Sequence, residues 1–310
     1  MKAVRYHSYG GSDVLVYEEA DRPVAGQGQV VVRVAGAAFN PLDVAIRAGF
    51  VQQVFPVVFP HTPNFDVAGV VTEVGEGVHG WSTGDAVVAY LPVTAPGAAA
   101  EFVAAPADAL AAAPRAVELA DAAALPSAGL TAWQSLFEHA RLQARQSILI
   151  NGAGGAVGRY AVQLAKQAGA IVTATASARS TGRVRSYGAD LVIDYTAAPL
   201  PGAVAGQQFD AVLNLVRTGQ EETLRLAGLA ADGGAFVSTT FPDLDDAGRG
   251  VRVVSVFSRS DAAQLAELVR RVDAGDLRID VAARRPLTEL ADVHDEAVAG
   301  TLPGKTVLIP

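Results

Sequence analysis

SILINGAGGAVGRYAVQLAKQAGA, residues 147–170, decides the fold. A short apolar run leads into a glycine-rich turn, and the turn opens a segment with helical periodicity. Ala153-x-Gly155-x-x-Gly158, with further glycines at 152 and 154, fits the strand–turn–helix that seats the pyrophosphate of a dinucleotide. Glycine is needed there because the turn demands positive φ, the backbone must approach the phosphates, and the helix must pack against the strand. The amides at the helix N-terminus then meet the phosphate charge. Ala153, Gly154, Gly155, Ala156, Val157 and Gly158 are therefore expected to bind cofactor. A glycine turn alone can be purely structural, but here a strand precedes it, a helix follows, and a second strand comes at the right distance.

That second strand, IVTATAS, ends at Ser177-Ala178-Arg179. A site preferring NAD would place Asp or Glu there on the ribose 2′-hydroxyl. A hydroxyl and a guanidinium instead suit a 2′-phosphate, through a charge-assisted fork. NADPH is the expected cofactor, held by Ser177 and Arg179; the competing reading makes Arg179 a solvated residue at a helix start.

Outward from this motif, apolar strands without alternation recur between helical segments up to VRVVSVFS at 251–258. This is the grammar of a doubly wound parallel sheet, in an α/β protein. Before it, residues 2–105 read as short alternating or β-branched runs (KAVRY, VLVYEE, QVVVRVAGAAF, AGVVTEVG, DAVVAY) separated by turn residues, a mostly antiparallel β domain. Helical periodicity over 121–140, interrupted by Pro126-Ser127, marks the crossing between them. The tail from Asp261 holds one expected amphipathic helix and ends in KTVLIP, a strand of the first domain's type.

Of 310 residues 50% are hydrophobic and 18% charged, which suits a folded chain rather than a disordered one. The net charge of −8, with no basic block, argues against nucleic acid and anionic membrane surfaces as partners. There is no cysteine, which removes disulfides and thiolate ligands and is compatible with the cytoplasm, the expected location. The start carries no apolar core of signal-peptide length, and the Ala-rich stretch 91–126 is cut by charges and prolines, so neither secretion nor a membrane span is expected.

The motifs FNPLDVAIRAG (39–49), PNFDVAGVVTEVGEGV (63–78), STGDAVVAY (82–90), AALPSAGLTAW (123–133), the glycine loop, GADLVIDY (188–195) and PGKTVLIP (303–310) follow one another in order. Together they make the chain resemble the zinc-independent medium-chain dehydrogenases/reductases of the quinone oxidoreductase, zeta-crystallin-like family. The resemblance implies a GroES-like catalytic domain built from 1–120 and 261–310, a Rossmann domain over 121–260, and a substrate cleft between them. It places Asn40 and Asp43 on the nicotinamide and substrate cleft, Thr131 beside the nicotinamide, Tyr195 near the adenosine 2′-phosphate, and Phe257 among the cofactor contacts. It also implies a homodimer paired through VRVVSVF (251–257). The bland readings stay open: Asn40-Pro41 as a turn with Asp43 capping a helix, Thr131 bonded to its own backbone, Tyr195 as a half-buried aromatic. Arg47 either binds substrate or pairs with a local acid.

The departures from the family pattern are specific. Zinc-dependent relatives carry Gly-His-Glu-x-x-Gly where this chain has Asn64-Phe65-Asp66-Val67-Ala68-Gly69, so no metal is expected and His61 reads as an ordinary loop histidine. Ala45 stands where relatives often have a cleft aromatic, Val51 where enoyl reductases carry a tyrosine proton donor, and Asn214 where many have aspartate. The five histidines form no local pair at metal spacing and no serine sits in a Gly-x-Ser-x-Gly elbow, which leaves hydrolase readings unsupported. The expected activity is hydride transfer from NADPH to a quinone or an α,β-unsaturated carbonyl. The oxyanion would be met by backbone amides, Asn40 or solvent. The alternatives are a biosynthetic enone or enoyl reductase and, in a different class, an NADPH-binding sensor or structural protein with little turnover.

Overall fold

A computed structural model describes every residue except 198, 199, 205, 241–243 and 245. In chain order it runs β1 (Lys2–Arg5), β2 (Val16–Glu19), β3 (Gln29–Ala38), α1 (Pro41–Arg47), β4 (Asp66–Val74), β5 (Ala86–Tyr90), β6 (Phe102–Pro106), β7 (Leu110–Ala112) and α2 (Pro126–Trp133). It continues through β8 (Ser147–Asn151), α3 (Ala156–Gln167), β9 (Ile171–Ala176), α4 (Ala178–Ser186), β10 (Leu191–Asp194), α5 (Leu200–Ala203), β11 (Phe209–Asn214), α6 (Gln220–Ala227), β12 (Ala230–Ser238) and β13 (Arg252–Ser255). The tail adds α7 (Ala262–Asp273), β14 (Ala283–Pro286), α8 (Leu290–Val298) and β15 (Thr306–Ile309). The chain divides into two compact units: Met1–Ser127 with Ser260–Pro310, and Ala128–Arg259. Residues 121–127, expected with the nucleotide-binding half, group with the first unit.

The first unit holds a two-stranded antiparallel sheet, β1-β2, and a seven-stranded sheet in the order β14-β15-β3-β4-β5-β7, with β6 on β3. In the larger sheet all pairings are antiparallel except β14 with β15. The closing strand comes from the tail, where Val307 and Leu308 face Ala38 and Ala37. Leu287, Leu290, Val293 and Leu308 share one apolar cluster with Val4, Phe39 and Ala99, so burial welds the two ends of the chain. The expected single tail helix is corrected to two. In α8 the buried Leu290, Val293 and His294 fall at helical spacing, but the segment is short and too polar to stand out.

The second unit is a six-stranded, wholly parallel sheet in the order β10-β9-β8-β11-β12-β13. The order reverses between β8 and β11, and open α/β sheets take ligands at the carboxyl ends of the strands flanking such a reversal. Its core sets Leu149, Val212 and Phe236 of the strands against Leu226 and Ala227 of α6. The helical stretch expected over 121–140 is three pieces. A 3₁₀ stretch over Leu119–Ala124 ends before Pro126, which takes the first position of α2, where its missing N–H costs nothing. Beyond Trp133 the helix widens into a π-type turn, Gln134–His139.

Candidate functional site

The glycine loop lies between β8 and α3. Gly152 has φ +93°, open to glycine at little cost, and a Cβ there would stand 2.7 Å from Val216 Cγ2. A Cβ at Gly158 would meet Ala153 Cα and the Gly152 carbonyl at 2.5 Å, so this glycine serves helix–strand packing. Gly155 differs. Its φ is −77° and a Cβ would find nothing nearer than the Gly152 carbonyl at 3.4 Å, so the fold itself does not require glycine there. The room it leaves faces the N-terminus of α3, which no side chain caps and no acid in the first turn neutralises. An exposed, positively polarised cradle of this kind fits a pyrophosphate.

Ser177 and Arg179 sit where β9 gives way to α4, Ser177 as the N-cap. Arg179 is exposed, and its guanidinium forms no hydrogen bond or ion pair with a described residue. Tyr195, 55% exposed, follows β10, and its amide donates to the carbonyl of Ala176 at 3.3 Å. The structure thus brings Ser177, Arg179 and Tyr195 together at the adjacent carboxyl ends of β9 and β10, with a free guanidinium among them. Tyr195 is exposed rather than half-buried.

Thr131, on α2, donates from Oγ1 to Ser258 Oγ at 2.8 Å, so its hydroxyl is held by the segment after β13. Phe257, 56% exposed, directly precedes that serine. These two expected residues are neighbours through Ser258, a residue the sequence reading passed over.

In the first unit, Asn40 is the N-cap of α1. Its Nδ2 donates to Asp66 Oδ2 at 2.9 Å and to the Ala38 carbonyl at 3.3 Å, and its Oδ1 accepts from Lys305 Nζ at 2.7 Å. Both amide hydrogens are engaged, which corrects the expectation that Asn40 donates to a developing oxyanion. Asp66 is fully buried: it accepts from the Ser127 amide at 2.8 Å, the Ser127 hydroxyl at 2.6 Å and Lys305 at 3.3 Å. Lys305 spends its third bond on the Phe39 carbonyl at 3.1 Å. Asp66, Ser127 and Lys305 are the members that reading the sequence missed. The one available signal was a lone lysine leading into the apolar TVLI run.

Asp43 serves this corner from below. Its carboxylate accepts the Asn40 amide at 2.8 Å, the Asn64 amide at 3.1 Å and Asn64 Nδ2 at 3.2 Å, fixing the left-handed backbone of Asn64 (φ 68°). Burial pushes its pKa up to about 7, against the pull of the Asn40 and Asn64 amides. Asp43 is therefore the helix-capping, buried residue of the bland reading, and it faces protein on all its bonds.

Arg47 is buried, and its Nε and Nη1 have no hydrogen-bond partner among the described residues. Beside it the fully buried His294 is held neutral by burial and by the Arg47 charge, with a pKa of about 3. His61 is likewise buried, its ring edge-on to Tyr6 with centroids 5.3 Å apart, and burial lowers its pKa to about 4. Among the described residues no three His, Asp or Glu side chains are grouped to hold a metal ion.

Family models match two stretches: the alcohol dehydrogenase GroES-like domain over residues 26–115 and the zinc-binding dehydrogenase domain over 187–308. A chloroplast envelope quinone oxidoreductase homologue of Arabidopsis thaliana is 34% identical across 100% of this chain and 98% of its own length. An NADPH-dependent alkenal/one oxidoreductase of the same plant is 40% identical over 63% of this chain and 53% of its own. The solved quinone oxidoreductase of Coxiella burnetii superposes with a TM-score of 0.91 at 28% identity, covering 100% of this chain and 99% of that one. The family binds a nicotinamide dinucleotide. With Phe65 in place of the histidine ligand and no cysteine anywhere, the chain belongs to the zinc-independent, quinone oxidoreductase-like branch of the medium-chain dehydrogenases/reductases.

Proposed function

We propose that this protein is an NADPH-dependent reductase that delivers hydride to a quinone or an α,β-unsaturated carbonyl. The observation that carries the reading is the glycine loop opening onto an uncapped helix N-terminus, with the unpaired Arg179 at the end of the next strand. When bound, the reduced nicotinamide supplies the hydride. The chain's own contribution is to seat the pyrophosphate on the amides of Ala156 to Gly158, to hold the 2′-phosphate with Arg179, Ser177 and Tyr195, and to fix Thr131 through Ser258. Asn40 and Asp43 contribute a rigid polar corner; with their hydrogen bonds committed, a backbone amide or solvent meets the product oxyanion, and the proton comes from solvent.

An apolar acceptor is favoured by the loop after α1, which presents Phe50, Val54 and Val58 as exposed side chains, and by the small Ala45. The relatives named for quinone and alkenal/one reduction support the same acceptor classes. A homodimer joined through β13 is part of the proposal, since among the described residues this strand ends the sheet and pairs only with β12. The cytoplasm remains the proposed compartment for a chain without cysteine; no helix among the described residues is long and apolar enough to cross a membrane.

The test follows nicotinamide oxidation with NADPH and NADH in parallel, against a benzoquinone, a naphthoquinone, an alkyl enone and an enoyl thioester. Turnover led by quinones or enones with NADPH supports the reading, and equal use of NADH overturns the role of Arg179. Tight NADPH binding without turnover on any acceptor would favour a binding protein. Light scattering tests the dimer, and a monomer removes it.

A further inference from the structure

Asn214 ends β11 and is fully buried, so no ligand touches it. Its Oδ1 accepts from Asn151 Nδ2 at 2.9 Å and from the Val216 amide at 3.3 Å, and its Nδ2 donates to the Val216 carbonyl at 3.0 Å. Asn151 ends the neighbouring β8. Its Oδ1 accepts from Thr175 Oγ1 at 2.8 Å, and the same hydroxyl accepts the amide of Gly152 at 2.9 Å. An unbroken relay therefore runs from the first residue of the glycine loop, through Thr175, Asn151 and Asn214, to Val216. The far end returns to the start: Val216 Cγ2 occupies the space where Gly152 would carry a Cβ. Every side chain in the relay is uncharged.

Resting on the reading of the glycine loop as a dinucleotide seat, we propose that Asn214 is a positioning residue for the cofactor. It ties the loop after β11 to the loop after β8, on the two sides of the reversal in strand order. The glycine at 152 would otherwise leave that backbone free to sample many conformations. Holding it in one arrangement spares the dinucleotide the entropy of ordering it, so affinity depends on a side chain the ligand never meets. A carboxamide suits the task because it accepts from Asn151 and donates to Val216 at once, whereas aspartate keeps only the accepting half.

The experiment uses the full chain and measures Kd for NADPH by cofactor fluorescence, at a temperature well below the melting point of each variant, with Tm recorded alongside. Asn214→Leu keeps the volume and loses all four side-chain bonds, the long one from Nδ2 to Ser238 Oγ at 3.5 Å included, and its Kd is expected to rise about tenfold. Asn214→Asp keeps both accepted bonds but sets a buried carboxylate oxygen against the Val216 carbonyl, so its Kd is also expected to rise. In turnover KM for NADPH should follow Kd, while kcat at saturating cofactor stays within about twofold. Should Asn214→Leu fail to fold, Asn151→Ala breaks the same link from the other side and is expected to raise Kd similarly. An unchanged Kd in a folded variant, even with a lower Tm, overturns the proposal. Failure of the parent chain to bind NADPH or NADH would instead sink the cofactor reading itself.

Discussion

Lys305 Nζ lies 2.7 Å from Oδ1 of Asn40, a residue 265 positions earlier in the chain. The same ammonium approaches Asp66 at 3.3 Å with both side chains almost wholly out of solvent. A buried pair is weak evidence for net stability, but breaking one strands a charge without a partner. Lys305→Met should destabilise the protein by about 3–5 kcal/mol, read from urea unfolding, and should free the Asn40 carboxamide to turn. An unfolding midpoint equal to the parent's would show that water reaches Asp66.

Arg179 has no competing partner among the described residues, so its removal should cost cofactor discrimination and little else. Arg179→Ala is expected to raise Kd for NADPH at least about tenfold, the worth of one charge-assisted hydrogen bond. Kd for NADH should barely move. Titrations with both cofactors check this, and an equal loss for the two would move the 2′-phosphate elsewhere.

Two glycines of one loop should respond in opposite ways to the same added methyl. Gly155→Ala meets nothing closer than 3.4 Å and keeps an ordinary φ, so Tm should hold while NADPH binding is lost. Gly158→Ala drives a Cβ to 2.5 Å from backbone, so Tm should fall. Thermal melts paired with cofactor titrations separate the cases; a lowered Tm for Gly155→Ala would mean that glycine serves the fold.

Stability should fall with acid through His61 and His294. An imidazole harder to protonate folded than unfolded lets the unfolded chain bind protons first. Stability is therefore lost below the ordinary histidine value of about 6.5, down to about 4 for His61 and about 3 for His294. Asp43 acts in the opposite sense. Folded, its carboxyl keeps a proton up to about 7, so its contribution is present at low pH and lost as pH rises from about 4. Over the shared window two imidazoles oppose one carboxyl, a net loss of stability as pH falls. His294→Leu should leave one against one and flatten urea midpoints between about pH 4.5 and 6. A slope as steep as the parent's would discard His294 as a contributor.

What the sequence made legible was local. The glycine loop, the strand before it and Arg179 lie within a few dozen residues, and each announces itself by residue type at fixed spacing. The Asn40 corner was half legible: residue types showed that Asn40 and Asp43 belong together, but not where the amide hydrogens go. Asp66, Ser127 and Lys305 meet across 61 and 239 positions, and no periodicity records such a meeting. Asn214 was visible as a departure from the family pattern, yet its meaning depends on Asn151 facing it from the next strand.

The tail strand β15 closes the first unit's sheet against β3, and Lys305 immediately precedes it. During synthesis residues 1–127 emerge with that edge open and with Asp66 lacking its cation, and they wait until Lys305 and β15 have been made. The parallel sheet of 128–259 draws on one uninterrupted stretch and is available earlier. Order of assembly is thus written into the topology: the segment made first is completed last, and trimming a few residues from the far end would undo a corner built near the beginning.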